Sequence, residues 1–295
     1  MRAPFRIGKG SREGSVLVRK LVTCLGLAGI MFAGLSAATE GGAWPLACRI
    51  TSYGKYQEAA WSHLPSIGVH YVFLGVPAPD EVDAVVKRLK ENNLTALVVR
   101  GDADLSKADS VDQLAQQLAI CEKMGVKYMF LSPKHGDAPK EVAYERLRKA
   151  GDIAKRHGVT ITLETHRDLG TNADVHIETM KAINHPNVRV NFDTGNITFY
   201  NKGADAVAEL KKVIDYVGSV ELKDHNLEYE SWDFPVLGKG KVNFPGILQV
   251  LKEHGYMGPI TIEFEGTKGV DLTEEQTKQA IADSVTFLHS LAKFK

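Results

Sequence analysis

The sequence predicts a closed (β/α)8 barrel, and three observations carry that prediction. From about residue 45 onward, short β-rich runs alternate with helical patterns eight times, and strict βα alternation implies a parallel sheet. Four of the later runs finish on a carboxylate, at Glu164, Asp193, Glu221 and Glu263. No glycine-rich fingerprint follows the first run, as an open doubly wound sheet binding a dinucleotide would show, and no linker divides residues 45–295. One domain of the TIM-barrel class is expected there.

The elements follow in order. Residues 47–51 read as a short apolar strand and 55–64 as a helix. Residues 69–74 are β-branched and aromatic, hence a strand. A helix opens at Pro79-Asp80-Glu81, with acids in its first turn as the helix dipole favours, and runs to residue 90. The third strand is 96–99. The next helix is capped at Asp109 or Ser110 and stopped by Gly125; its Val111, Leu114, Leu118 and Cys121 keep helical spacing. Strand 128–131 and helix 139–156 come next, followed by strand 160–164 and helix 173–183. Strand 188–193, helix 204–216 and strand 219–223 complete the seventh pair's strand. A polar insertion over 225–241 precedes helix 244–254, strand 260–263 and a last helix from Thr273 to residue 291.

Composition narrows the function. Lys+Arg and Asp+Glu are equal at 36 each, so the chain lacks the basic excess that a nucleic-acid surface carries. Arg2, Arg6, Lys9, Arg12, Arg19 and Lys20 precede an uncharged run over 21–38 that ends in Ser36, Ala37 and Ala38. A basic region, an apolar run and small residues make a signal peptide over 1–38, so export to the periplasm or beyond is expected. The run is also long enough to serve as a membrane anchor if retained. Pro45-Leu46-Ala47-Cys48 ends like a lipoprotein box, but proline fits its first position poorly and Cys48 falls in the first strand, so that reading is rejected. Cys48 and Cys121 form no metal or disulfide pattern and read as inert buried thiols.

Acids at the ends of four strands covered on both faces are costly unless a cation sits among them. In a barrel of this class the carboxyl ends of the strands build the active site. Side chains alternate along a strand, and parity is consistent in all four runs. Glu164 shares a side with Thr162 and His166, Asp193 with Asn191, Glu221 with Ser219 and Lys223, and Glu263 with Thr261 and Glu265. The four acids are therefore expected to converge on one divalent metal ion.

Leu163-Glu164-Thr165-His166, Asn191-Phe192-Asp193-Thr194-Gly195-Asn196, Glu221-Leu222-Lys223-Asp224 and Gly255-Tyr256-Met257-Gly258-Pro259-Ile260-Thr261-Ile262-Glu263 together resemble the xylose isomerase-like sugar phosphate isomerase/epimerase family, over roughly residues 45–292. The resemblance implies a (β/α)8 barrel with one metal, with Glu164, Asp193 and Glu263 at three of its four ligand positions. Two positions depart: Glu221 stands where the family has a histidine ligand, and Asn196 where a histidine often follows the strand-six acid. An all-carboxylate set suits Mg2+ or Mn2+ better than Zn2+. It also crowds four anions, so at least one should titrate high. The alternative is that Glu221 marks a degenerate site without metal.

The chemistry expected is proton transfer next to a metal-polarised carbonyl, with Glu164 and Glu263 as the catalytic pair on a ketose or keto-inositol. Returning the proton gives isomerisation or epimerisation; losing a β-hydroxyl gives dehydration. Lys223, His166, Arg100, Asn196 and His225 are the candidate substrate contacts. An exported location favours a non-phosphorylated ketose or keto-sugar. The partner is thus a small sugar or inositol derivative, with no nucleic acid, and with a membrane only if the leader is retained. A non-catalytic carbohydrate-binding barrel is the competing class. An AP endonuclease-like site is set aside, because the strand ends lack the extra histidines it needs. Trp232 and Phe234 in the insertion are expected either to form a lid or to anchor packing.

Overall fold

The computed structural model describes residues 43–295; the signal segment expected over 1–38 lies outside them. Eight parallel strands close into a barrel in the order β1-β2-β3-β4-β5-β6-β7-β9. They are β1 (Leu46–Arg49), β2 (Tyr71–Gly75), β3 (Thr95–Arg100), β4 (Tyr128–Leu131), β5 (Thr160–Glu164), β6 (Val188–Asp193), β7 (Val217–Leu222) and β9 (Ile260–Ile262). The ring shuts where β1 pairs with both β2 and β9, for example Cys48 beside Val72 and Ile262. A two-residue strand β8 (Asp233–Phe234) in the insertion pairs antiparallel with β10 (Gly266–Thr267), outside the ring.

The surrounding helices are α1 (Gln57–Ser66), α2 (Val82–Glu91), α3 (Ser110–Met124), α4 (Lys140–Arg156), α5 (Ala173–Ile183), α6 (Asn196–Tyr200), α7 (Ala206–Val213), α8 (Phe244–Glu253) and α9 (Glu274–Leu291). Their ends are fixed by local chemistry. The Asn172, Asp205 and Asn243 side chains accept the N–H of Val175, Ala208 and Gly246 at the starts of α5, α7 and α8. Thr273 and Gln276 form a reciprocal capping box on α9. Gly125, at φ 73, ends α3 in the left-handed region.

Most differences from the sequence expectation are of boundary. The first helix begins later than residue 55, because Ile50–Tyr56 winds as a 3-10 segment broken at Gly54, with φ 55. The helix expected over 204–216 is shorter, and its last turn tightens to a 3-10 turn over Ile214–Tyr216. The short helix α6 was not anticipated.

Apolar residues of the later strands, Ile161, Leu163, Val190, Phe192, Val220, Leu222, Ile260 and Ile262, join the continuous core with the helices. Their alternating neighbours Thr162, Asn191, Ser219 and Thr261 are buried polar groups, as parity requires. In the first half of the ring Phe73, Val98 and Phe130 form a separate apolar cluster. Cys48 and Cys121 are buried and unpaired; burial pushes the Cys121 thiol up to about 12, which keeps it unreactive.

Candidate active site

Glu164, Asp193 and Glu221 meet at the carboxyl ends of β5, β6 and β7, each offering an oxygen within 4.8 Å of the others. All three are buried, with Asp193 and Glu221 at 0 % exposure. The Asp193 carboxylate is set by its own chain: Oδ1 accepts the N–H of Gly195 and of Asn196, both at 2.8 Å, which turns the backbone directly into α6. That turn brings Asn196 over the site, where its amide donates to Glu164 Oε1 at 3.3 Å. Asp193 Oδ2 and Glu221 Oε2 are buried and have no hydrogen-bond partner among the described residues. Buried carboxylate oxygens without a donor are costly, and three clustered oxygen donors match the preference of a hard divalent cation. The donor set therefore fits a metal ion, which these three residues would hold.

Glu263 lies outside that group of three. Arg49, at the end of β1, donates to Glu263 Oε1, and the Lys223 ammonium donates to Glu263 Oε2 at 3.1 Å. Arg49 Nε also reaches Glu221 Oε1 at 2.9 Å. The expectation of four acids around one ion thus becomes three acids in one group and a fourth held between two cations. The cations come from positions 214 and 40 residues away in the chain. Arg49 was missed altogether. A lone arginine closing a four-residue apolar strand carries no motif, and only the closure of β1 on β9 brings it to the acids.

Titration follows from these contacts. Burial raises the Asp193 carboxyl well above its usual range, more than nearby Lys223 lowers it. Burial likewise raises Glu221 against the opposing pull of Arg49. At Glu263 burial also pushes upward, but Arg49 and Lys223 together outweigh it and hold the group at about 2.

Lys223 is committed to the site and not to its neighbour Asp224. Its ammonium touches Glu265 at the rim and donates to Asn196 Oδ1 at 3.1 Å, and it lies 4.3 Å from the Phe234 ring centroid. Gly195 lets it pass, since a Cβ there would stand 2.8 Å from Lys223 Cγ. Asp224 instead accepts the backbone N–H of His225, Gly238, Gly240 and Val242, gathering the insertion onto one carboxylate.

The remaining candidates are placed less centrally. His225, expected to contact substrate, is 0 % exposed, stacks 5.0 Å from Phe234 and donates from Nε2 to the Ser231 carbonyl at 3.0 Å. Its role here is to pack the insertion; aromatic neighbours distant in sequence claimed a residue that looked polar and free. His166 is half-buried, its ring 4.9 Å from that of Tyr200. Arg100 is exposed at the end of β3, its guanidinium 6.0 Å from the Phe130 ring. Phe234 is buried as an anchor, whereas Trp232 is 45 % exposed. Trp232 lines a groove of about 560 Å³ with Tyr53, Tyr56, Phe264, Glu265 and Asp271. Glu265 belongs both to that groove and to the Lys223 contacts, so the groove opens beside the acids.

Comparison with known proteins agrees with the fold. An L-ribulose 3-epimerase of Methylomonas sp. is 26% identical over 234 residues, covering 69% of this chain and 77% of its own. An inosose dehydratase of Serratia proteamaculans is 23% identical over 197 residues, covering 55% and 66%. Two other curated relatives, an uncharacterized protein of Methanocaldococcus jannaschii and an inosose dehydratase of Bacillus licheniformis, are matched over 47% and 49% of their length, so the chain spans about half of them. Among solved structures, the IOLI protein with a bound zinc atom superimposes with a TM-score of 0.68 at 18% identity, covering 84% of this chain and 99% of that one. The xylose isomerase-like TIM barrel family matches residues 63–291. With that match spanning most of the barrel, the chain belongs to the xylose isomerase-like TIM barrel family.

Proposed function

We propose that the protein is a divalent-metal-dependent isomerase or epimerase acting on a non-phosphorylated ketose or keto-sugar by proton transfer next to the carbonyl. The observation that carries this reading is the buried Glu164–Asp193–Glu221 group at the strand ends, with two carboxylate oxygens left unpartnered. A divalent ion held there supplies the positive charge that makes a carbonyl-adjacent proton acidic. Mn2+ or Mg2+ suits the all-oxygen donor set better than Zn2+.

The chain's own residues do the rest. Glu164, steadied by the Asn196 amide, takes the α-proton. Lys223 offers a fixed positive charge toward the oxygen on which negative charge develops. Both buried cations, Arg49 and Lys223, already share their charge with carboxylates, so neither offers the uncompensated charge that a dianionic phosphate group calls for. Together with the export signal expected over 1–38, this favours an unphosphorylated substrate. Resemblance to an L-ribulose 3-epimerase and to inosose dehydratases supports the sugar and inositol class.

One observation favours a second reading. Epimerisation calls for a second group to return the proton, and Glu263, with both oxygens engaged and a pKa near 2, is a weak base. Glu164 alone could remove the α-proton and pass it to the departing β-hydroxyl, which leaves as water as the C=C bond forms; this is the dehydratase reaction. Incubation with Mn2+ and a panel of ketoses and keto-inositols in D2O tests both readings by NMR. Deuterium at the α-carbon of a stereoisomer supports the epimerase, and a dehydrated product supports the lyase. Neither change with any substrate, alongside retained sugar binding, would leave a carbohydrate-binding barrel.

A further inference from the structure

Arg49 is the one cation that the first half of the barrel sends into the acidic half. It is 6 % exposed and packs over two touching aromatic rings, 4.5 Å from the Phe73 centroid and 4.7 Å from that of Phe130. From there Nε engages Glu221 Oε1 and Nη1 engages Glu263 Oε1. Each contact takes one oxygen, so Glu221 keeps Oε2 unpartnered beside Asp193 Oδ2, which is likewise unpartnered.

The charges of this buried group can be counted. Glu164, Asp193, Glu221 and Glu263 are at most 7 % exposed, as are Arg49 and Lys223. Glu265, which also touches Lys223, sits at the rim with its side chain 28 % exposed and is screened by solvent. Asp224 is buried nearby, but four backbone N–H groups solvate it within the insertion. Counted with every carboxyl ionised, as metal ligands are, four buried carboxylates against two cations leave a formal net charge of −2.

We propose that Arg49 is a charge-setting residue: by pairing with one oxygen each of Glu221 and Glu263 it neutralises one carboxylate's worth of charge, so that one divalent ion completes the balance. This rests on the metal reading above. Without Arg49 the buried group would carry −3, and a single divalent ion would leave an excess anion in a low-dielectric setting.

Four forms of the full chain test the proposal: wild type, Arg49→Met, Arg49→Lys and the double variant Arg49→Met with Glu221→Gln. Each is titrated with Mn2+ by calorimetry and melted with and without Mn2+. Wild type is expected to bind one Mn2+. Arg49→Met, which keeps the packing volume over the rings, should lower the melting point of the metal-free form most. It should also bind Mn2+ more tightly, by on the order of tenfold, because a repelling cation has gone. Arg49→Lys keeps the charge and should stay near wild type in both measurements. The double variant removes one charge of each sign and should recover the metal-free melting point. If Arg49→Met alone does not fold, a folded double variant is the same result.

Equal loss of stability with and without Mn2+, and no recovery in the double variant, would overturn the proposal and leave Arg49 as packing over Phe73 and Phe130. A wild type that takes up no Mn2+ would remove the metal reading, while recovery in the double variant would still decide whether Arg49 and Glu221 balance each other.

Discussion

The two halves of the barrel interior differ. Strands β1 to β4 contribute Phe73, Val98 and Phe130, with Arg49 as their single buried charge. Strands β5 to β9 contribute Thr162, Asn191, Ser219 and Thr261, topped by Glu164, Asp193, Glu221 and Glu263. One half is a low-dielectric wall and the other a bank of acids, and such a wall strengthens every electrostatic interaction beside it. The contrast explains why the acids need cations from two directions, Lys223 from their own bank and Arg49 from β1, the strand beside β9 that closes the ring.

Breaking the acidic half should have the largest effect. Glu164→Gln is expected to lower turnover by at least about 10³-fold and to weaken Mn2+ binding, as measured by steady-state kinetics and calorimetry. Unchanged activity would remove Glu164 from the chemistry. Lys223→Met should cost about 3–5 kcal/mol in urea unfolding, because it strips one of the two cations from Glu263 and the one that pairs with Glu265 among the described residues. A loss under about 1 kcal/mol would mean that Arg49 alone suffices for the bank.

Acid titration separates the two kinds of carboxylate. Asp193 and Glu221 have raised folded-state pKa values, so the metal-free protein should gain stability as pH falls from neutral and these groups take up protons. Glu263 is depressed to about 2, so its contribution is present above the ordinary glutamate range and is lost as pH falls from there toward 2. Melting points across pH in the presence of a chelator should therefore pass through a maximum on the acid side of neutral. A flat profile would contradict the contrast between these groups.

The smallest effect belongs to the apolar half. Phe130→Leu should cost about 1 kcal/mol and loosen Arg49 without removing its charge, which chemical denaturation would report. A loss above about 3 kcal/mol would show that the wall itself carries more of the site than its packing implies.

Legibility in the sequence followed the same division. Strands β4, β5 and β6 fall where their residues predicted them, because each is an apolar run bounded by a clear stop, and parity placed Glu164 and Asp193 on the inner side. The fold class was readable from alternation alone. What the sequence hid was pairing between strands far apart in the chain. Arg49 sits at the end of a strand with no polar companion, and Glu263 looks like its three fellow acids until two cations from elsewhere in the chain reach it. His225 misled for the converse reason: Phe234 lies nine residues further on, and only the folded insertion stacks the two. Helix α6 was hidden because its start depends on the Asp193 carboxylate accepting two backbone N–H groups, a turn that hydrophobic spacing does not register.

The ring is shut by β1, and β1 ends on Arg49. Sealing the cylinder and quenching its surplus of anions are therefore a single step. A chain assembled from β2 onward, with its first stave detached, would hold a cluster of mutually repelling acids that Lys223 alone offsets only in part.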